Sequence, residues 1–141
     1  MTPNVQAPHI VKAFSEELEQ LAADVATMGG LCESLVADCI EAVVTRDGAL
    51  ADSIVERDKR VDILQRELER RIIRLFALRQ PMAADLRATI AALKIVADLE
   101  RVGDLAKNIA RRTHALNEYE PSAYTAQVER MGRLVLGHLS E

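Results

Sequence analysis

Apolar residues recur at alternating intervals of three and four in the first third of the chain. This spacing persists through four heptads, which is typical of one long helix whose apolar seam faces its neighbours. We therefore predict a helix from about His9 to Thr45, preceded by a loose end over residues 1–8, where two prolines occur. The seam positions are Leu18, Leu21, Val25, Met28, Cys32, Leu35, Cys39 and Ala42.

Two further stretches show helical spacing. The turn Arg46-Asp47-Gly48 leads into a second helix, predicted from about Ala49 to Leu78. A third is predicted from about Pro81 to Leu116, because proline fits the first turn of a helix. The third helix has two apolar stripes and should contact two neighbours. One stripe is Ile95, Leu99, Val102, Ala106 and Ile109; the other is Leu86, Ile90, Leu93 and Ala97, and it continues as Glu100 and Asp104.

Three long helices joined by tight turns predict an all-α fold, an antiparallel up-down three-helix bundle over residues 1–120. Beyond it, Ala126–Val135 repeats Ala23–Cys32 at an offset of 103 residues, with five identities in ten positions. Residues 121–141 are therefore predicted to hold a linker and the first helix of a truncated second repeat. The apolar side of that helix needs cover, so we expect it to pack on another chain or to swap between chains, giving a homodimer or larger assembly. That side is Val128, Met131, Val135 and Leu139.

Composition narrows the class of protein. Of the 141 residues, 49% are apolar, which is enough for a core. The net charge of −4 argues against a nucleic-acid partner, because such binders carry basic patches. No run of 18 apolar residues occurs and no signal peptide is visible. We expect a cytoplasmic protein that is at most peripheral to a membrane.

The cysteines and histidines suggest structural roles. Cys32 and Cys39 share the apolar seam of the first helix, too far apart for a disulfide, and are predicted to be buried packing residues. His114 fits a cation near a helix C-terminus better than a phosphorylated histidine. His9, His114 and His138 all lack a glutamate three positions earlier, so the Glu-x-x-His pairs of di-metal enzymes are absent. No enzyme activity is predicted.

Two acidic pairs lie at equal distances from Pro81. Asp58 and Asp62 precede it, Glu100 and Asp104 follow it, and each pair is separated by one helical turn. If the chain folds back near Pro81, facing residues have numbers that sum to about 162, so the two pairs should meet across the second and third helices. Asn108, one turn beyond Asp104, could add a neutral oxygen.

Four facing carboxylates repel one another and need a positive partner. Lys107, with Arg57 and Arg101 nearby, would make the group a solvated acidic face compensated by side chains. Alternatively, a metal ion would be held by Asp58, Asp62, Glu100 and Asp104, since carboxylate oxygens favour hard cations such as Mg²⁺, Mn²⁺, Ca²⁺ or iron. Spacing alone leaves both interpretations open.

Several motifs follow one another at characteristic separations. They are Arg57-Asp-Lys-Arg-Val-Asp62, Leu78-Arg-Gln-Pro81, Asp85-Leu-Arg87 and Leu99-Glu-Arg-Val-Gly-Asp104, followed by Asn108. Together they resemble the PhoU family, regulators of bacterial phosphate uptake and phosphate-starvation signalling, from about Phe14 to Leu134. The resemblance implies two tandem three-helix bundles, of which this chain looks like the first and the opening of the second.

The resemblance also implies a function. It suggests a cytoplasmic, non-enzymatic signalling adaptor that links the ATPase of a phosphate ABC transporter to a sensor histidine kinase and represses the phosphate regulon. It further implies multinuclear metal clusters on Asp58 with Asp62 and Glu100 with Asp104, with iron, zinc, magnesium and manganese all open. The alternatives are a carboxylate-bridged metal-binding helical-bundle enzyme or metal store, and a purely structural coiled-coil module.

Overall fold

The computed structural model describes residues 6–140, and the side chains of residues 12–140. In this range the chain forms α-helices and no strands, which confirms the all-α prediction. The first three helices pack against one another, and short turns make consecutive helices antiparallel. The helices are α1 (Gln6–Thr45), α2 (Gly48–Arg79), α3 (Ala83–Leu116) and α4 (Thr125–Leu139).

Two of the predicted helix starts change. α1 begins at Gln6 rather than near His9, so residues 6–8 are helical, while the rest of the predicted loose end lies outside the described residues. Pro81 does not lie in the first turn of α3. Gln80 ends α2 in the left-handed conformation, with φ 45°, and Met82 is extended, so Pro81 belongs to the link. A proline just beyond a helix end fits there because it cannot continue the helix.

The bundle core follows the predicted seam of α1, since six of its eight positions are buried: Leu21, Met28, Cys32, Leu35, Cys39 and Ala42. Both cysteines are fully buried, as predicted for packing residues. Burial raises the pKa of each thiol to about 11, so both stay protonated at neutral pH. The Cys32 thiol donates a hydrogen bond to the Leu99 carbonyl of α3, at 3.2 Å. The buried residues of α2 are Ala51, Ile54, Asp58, Val61, Leu68, Ile72 and Leu75.

The buried seam of α3 keeps Leu99 and Ala106 of one predicted stripe but otherwise differs from both stripes. Ile90, Ile95 and Ile109 are 40%, 47% and 37% exposed, so their assignment to the core is wrong. Small residues replace them at the interface, and they let the axis of α3 come close to its neighbours. A search for large apolar residues overlooks such positions. The buried residues of α3 are Thr89, Val96, Leu99, Gly103, Ala106, Ala110 and Thr113.

The fourth helix packs on α1 of its own chain. The link after α3 lets α4 fold back along α1, so part of its cover comes from its own chain, and packing on another chain stays a prediction. A Cβ placed on Gly132 would lie 2.7 Å from Cγ1 of Ile40, whereas Gly29, its counterpart at the 103-residue offset, has nothing within 4 Å. Met131 and Val135 remain 65% and 50% exposed.

The close contact at Gly132 can be tested with a matched pair of substitutions. Gly132→Ala gains helix propensity but overpacks Ile40, whereas Gly137→Ala, on the same helix, meets nothing within 4 Å. We expect Gly132→Ala to be about 1–3 kcal/mol less stable than Gly137→Ala. Urea unfolding and hydrogen exchange of the α4 amides measure the difference; equal stabilities would contradict this packing.

Candidate metal site

Asp58 occupies a core position of α2. It follows Ile54 and precedes Val61 in the buried seam, and only 1% of its surface is exposed. Gly103 of α3 lies against it, since a Cβ at position 103 would be 2.9 Å from Asp58 Oδ1. A carboxylate at such a position requires a cationic or hydrogen-bonding partner, because burying an unpaired charge is very costly.

Lys107 supplies positive charge at this point. Its Nζ lies 2.6 Å from Asp58 Oδ2 and also donates a hydrogen bond to Asp104 Oδ1. Hydrogen bonds to Asp104 and to Asp58 raise the pKa of Lys107, so its ammonium is charged at neutral pH. The sequence-based choice of Lys107 as a compensating cation is thus confirmed. Arg57 is a wrong choice, because it bonds instead to Asp38 and Ser34 of α1.

Three of the predicted ligands come together across α2 and α3. Asp58, Asp62 and Asp104 each offer a carboxylate oxygen, and these atoms lie within 4.8 Å of one another. One ion could reach all three, because oxygen ligands of hard cations lie about 2.0–2.6 Å from the ion. The reflection about Pro81 therefore placed these side chains correctly.

Glu100 and Asn108, the other two predicted ligands, do not belong to this group of three aspartates. Glu100 is not among the three, but it lies close by. Desolvation raises its pKa, and the neighbouring charges of Asp104, Asp62 and Asp58 raise it further. Asn108 is exposed, one turn beyond Asp104. The participation of both residues in metal binding stays a prediction.

The group is not a solvated acidic face throughout. Asp62, Glu100 and Asp104 are half-buried, whereas Asp58 is buried. Its Oδ1 has no hydrogen-bond partner among the described residues, while Oδ2 is paired with Lys107. A buried acceptor without a partner is rare in proteins. Hard cations are ligated by carboxylate oxygens, and this group offers several of them, one of which lacks a hydrogen-bond partner. For this reason we treat the group as a candidate metal site.

The chain also matches known proteins. The profile of the PhoU domain matches residues 25–113. The chain belongs to the PhoU family. It is 56% identical over 134 residues to the phosphate-specific transport system accessory protein PhoU homolog of Caulobacter vibrioides, covering 94% of this chain and 58% of that protein. The corresponding PhoU homolog of Rhizobium meliloti is 42% identical, over 94% of this chain and 56% of its own length.

A solved PhoU structure has the same fold. The crystal structure of PhoU from Pseudomonas aeruginosa superimposes with a TM-score of 0.87 at 36% identity, covering 91% of this chain and 62% of that one. This PhoU-family chain thus spans less than two thirds of the length of each of these relatives.

Sequence reasoning about this PhoU-family chain missed the burial of Asp58 and the role of Gly103. A signal for both was present. Asp58 continues the three-and-four spacing of Ala51, Ile54 and Val61, and Gly103 stands between Leu99 and Ala106 in the same spacing on α3. Because Asp58 continues an apolar seam, its burial could have been expected, and the glycine in the seam of α3 leaves room for its carboxylate.

The raised pKa of Glu100 predicts a pH-dependent stability. The folded chain binds the Glu100 proton more tightly than the unfolded chain, so ionised Glu100 destabilises the fold above its folded pKa, and the effect vanishes below the ordinary value of 4.5. In chelator, Glu100→Gln should raise the urea midpoint at pH 7, and the gain should shrink towards zero at pH 4. Glu67→Gln, at an exposed position of α2, is the control. A loss of stability at pH 7, or equal gains at both pH values, would contradict this prediction.

Proposed function

We propose that this PhoU-family chain is a metal-binding, non-enzymatic adaptor module that negatively regulates phosphate uptake and phosphate-starvation signalling. Its similarity, over 94% of its length, to a protein named a phosphate-specific transport system accessory protein carries the proposal. The partners we propose are the ATPase of a phosphate ABC transporter and a sensor histidine kinase. We place the module in the cytoplasm, at most peripheral to the membrane.

Between residues 6 and 140, no helix combines the length and the apolar character needed to cross a membrane.

We propose that Asp58, Asp62 and Asp104 hold the metal, with Glu100 and Asn108 completing its surroundings. The compact group of carboxylate oxygens and the orphan Oδ1 of Asp58 support this assignment. All-oxygen ligation favours hard ions such as Mg²⁺, Mn²⁺ or iron, with modest selectivity, and zinc remains compatible. An ion at this point would tie α2 to α3, because the aspartates come from both helices.

An exposed apolar groove supports assembly into a homodimer or a larger complex. The groove has a volume of about 320 Å³ and lies between α3 and α4, above α1. Leu105, Met131 and Val135 are each at least half exposed along it. Protein–protein contact is one of the uses of exposed apolar surface, and it is the use we propose here.

A metal titration tests the proposed ligands. We expect wild-type protein to take up metal in elemental analysis and calorimetry, and Glu100→Ala/Asp104→Ala to lose binding while circular dichroism shows an intact bundle. Protonation of carboxylates should weaken binding at low pH. The matched control, Glu118→Ala/Glu120→Ala, removes the same charge from the exposed link after α3 and should bind like wild type. Equal uptake by wild type and the site variant, or uptake by neither, would refute the site.

Deletion of the gene tests the regulatory role. Phosphate-starvation genes should become active in phosphate-rich medium, because the proposed repressing link is lost. Reporter expression measures this, and reintroducing the wild-type gene should restore repression. If the genes stay repressed without the protein, the adaptor proposal fails, whatever the metal titration shows.

A further inference from the structure

The ammonium group of Lys107 binds two of the three aspartates that the proposed metal ion would need. Its Nζ is 2.6 Å from Asp58 Oδ2 and is hydrogen-bonded to Asp104 Oδ1. Both aspartates belong to the group of three whose oxygens lie within 4.8 Å of one another. Lys107 therefore lies inside the candidate site, on the helix that also supplies Asp104.

An ammonium and a divalent ion that bound the same two carboxylates would lie close together and repel each other. Water screens this repulsion little, because Asp58 is buried and the Lys107 side chain is only 17% exposed.

We infer that Lys107 is a built-in competitor of the metal, so that an ion enters the site only by displacing this side chain. The inference rests on the metal binding proposed above. According to this inference, Lys107 sets the affinity of the site for metal. The lysine neutralises the charges of Asp58 and Asp104 in the metal-free chain, and it moves away when an ion takes its place.

Two features of the site make this exchange physically reasonable. Lys107 satisfies Oδ2 of Asp58 but leaves Oδ1 without a partner, so an ion that reaches both oxygens gains a contact that the ammonium lacks. The Lys107 side chain is also 17% exposed, at the edge of the α2–α3 interface. Its flexible four-carbon stem can carry the charge into solvent without moving the backbone.

Calorimetric titration with Mn²⁺ alone tests the inference. Lys107→Met keeps an unbranched stem and removes the competing charge, and we expect it to bind Mn²⁺ at least roughly tenfold more tightly than wild type, a change of about 1.4 kcal/mol. Lys94→Met is the matched control, because it removes the same charge from an exposed position on the same helix. Its affinity should stay within roughly twofold of wild type.

A second measurement uses the unmodified protein, because Lys107→Met leaves Asp58 without its cation and could lose stability. Limited acylation with an acetyl ester of N-hydroxysuccinimide, read by mass spectrometry, reports how accessible each lysine is. Adding Mn²⁺ should raise the acylation rate of Lys107 roughly fivefold or more, as its two charge-assisted hydrogen bonds are lost. The rate at Lys94 should not change.

The outcomes separate the inference from the proposed metal site. If wild type binds Mn²⁺ but Lys107→Met binds no more tightly, or Lys107 acylation does not rise, the competition is refuted and the site stands. If neither wild type nor Lys107→Met binds Mn²⁺, both are refuted. The inference is supported if Lys107→Met binds Mn²⁺ more tightly than wild type while Lys94→Met binds it with the affinity of wild type.

Discussion

The interface between α2 and α3 depends on how one buried carboxylate is neutralised. Asp58 lies at a position of α2 that a leucine or valine could fill, and it keeps a charge inside the bundle. Removing one partner of a buried ion pair typically costs about 3–5 kcal/mol, so the register of α2 against α3 and the position of Lys107 are tied together. Sliding either helix by one turn would separate the two charges.

The small residues of α3 make this arrangement possible. Gly103 leaves room for the Asp58 carboxylate beside the α3 backbone, and Val61 packs against the same position. Ala106 and Ala110 continue the buried seam. Close approach at this level brings Asp104 of α3 within reach of Asp58 and Asp62 of α2, so packing of the helices and placement of the acidic group have the same cause.

Much of this architecture could be predicted from the sequence. The heptad seam of α1, the turn at Asp47 and the reflection about Pro81 follow from local spacing and chain geometry, and they brought Asp58 and Asp104 to one level. The seam of α3 could not be predicted from hydrophobicity, because Gly103 and Thr113 are buried through tertiary contact while Ile95 is not. The distinction between a solvated carboxylate and a buried one likewise depends on the neighbouring helix.

The contact between Ile40 and Gly132 has a consequence for the two related helices. The offset of 103 residues relates α4 to α1 and makes Gly132 the counterpart of Gly29. A Cβ on Gly132 would lie 2.7 Å from Cγ1 of Ile40, whereas a Cβ on Gly29 would meet nothing within 4 Å. The two related glycines therefore differ in role: Gly132 lets α4 approach α1 closely, and Gly29 leaves open space beside α1.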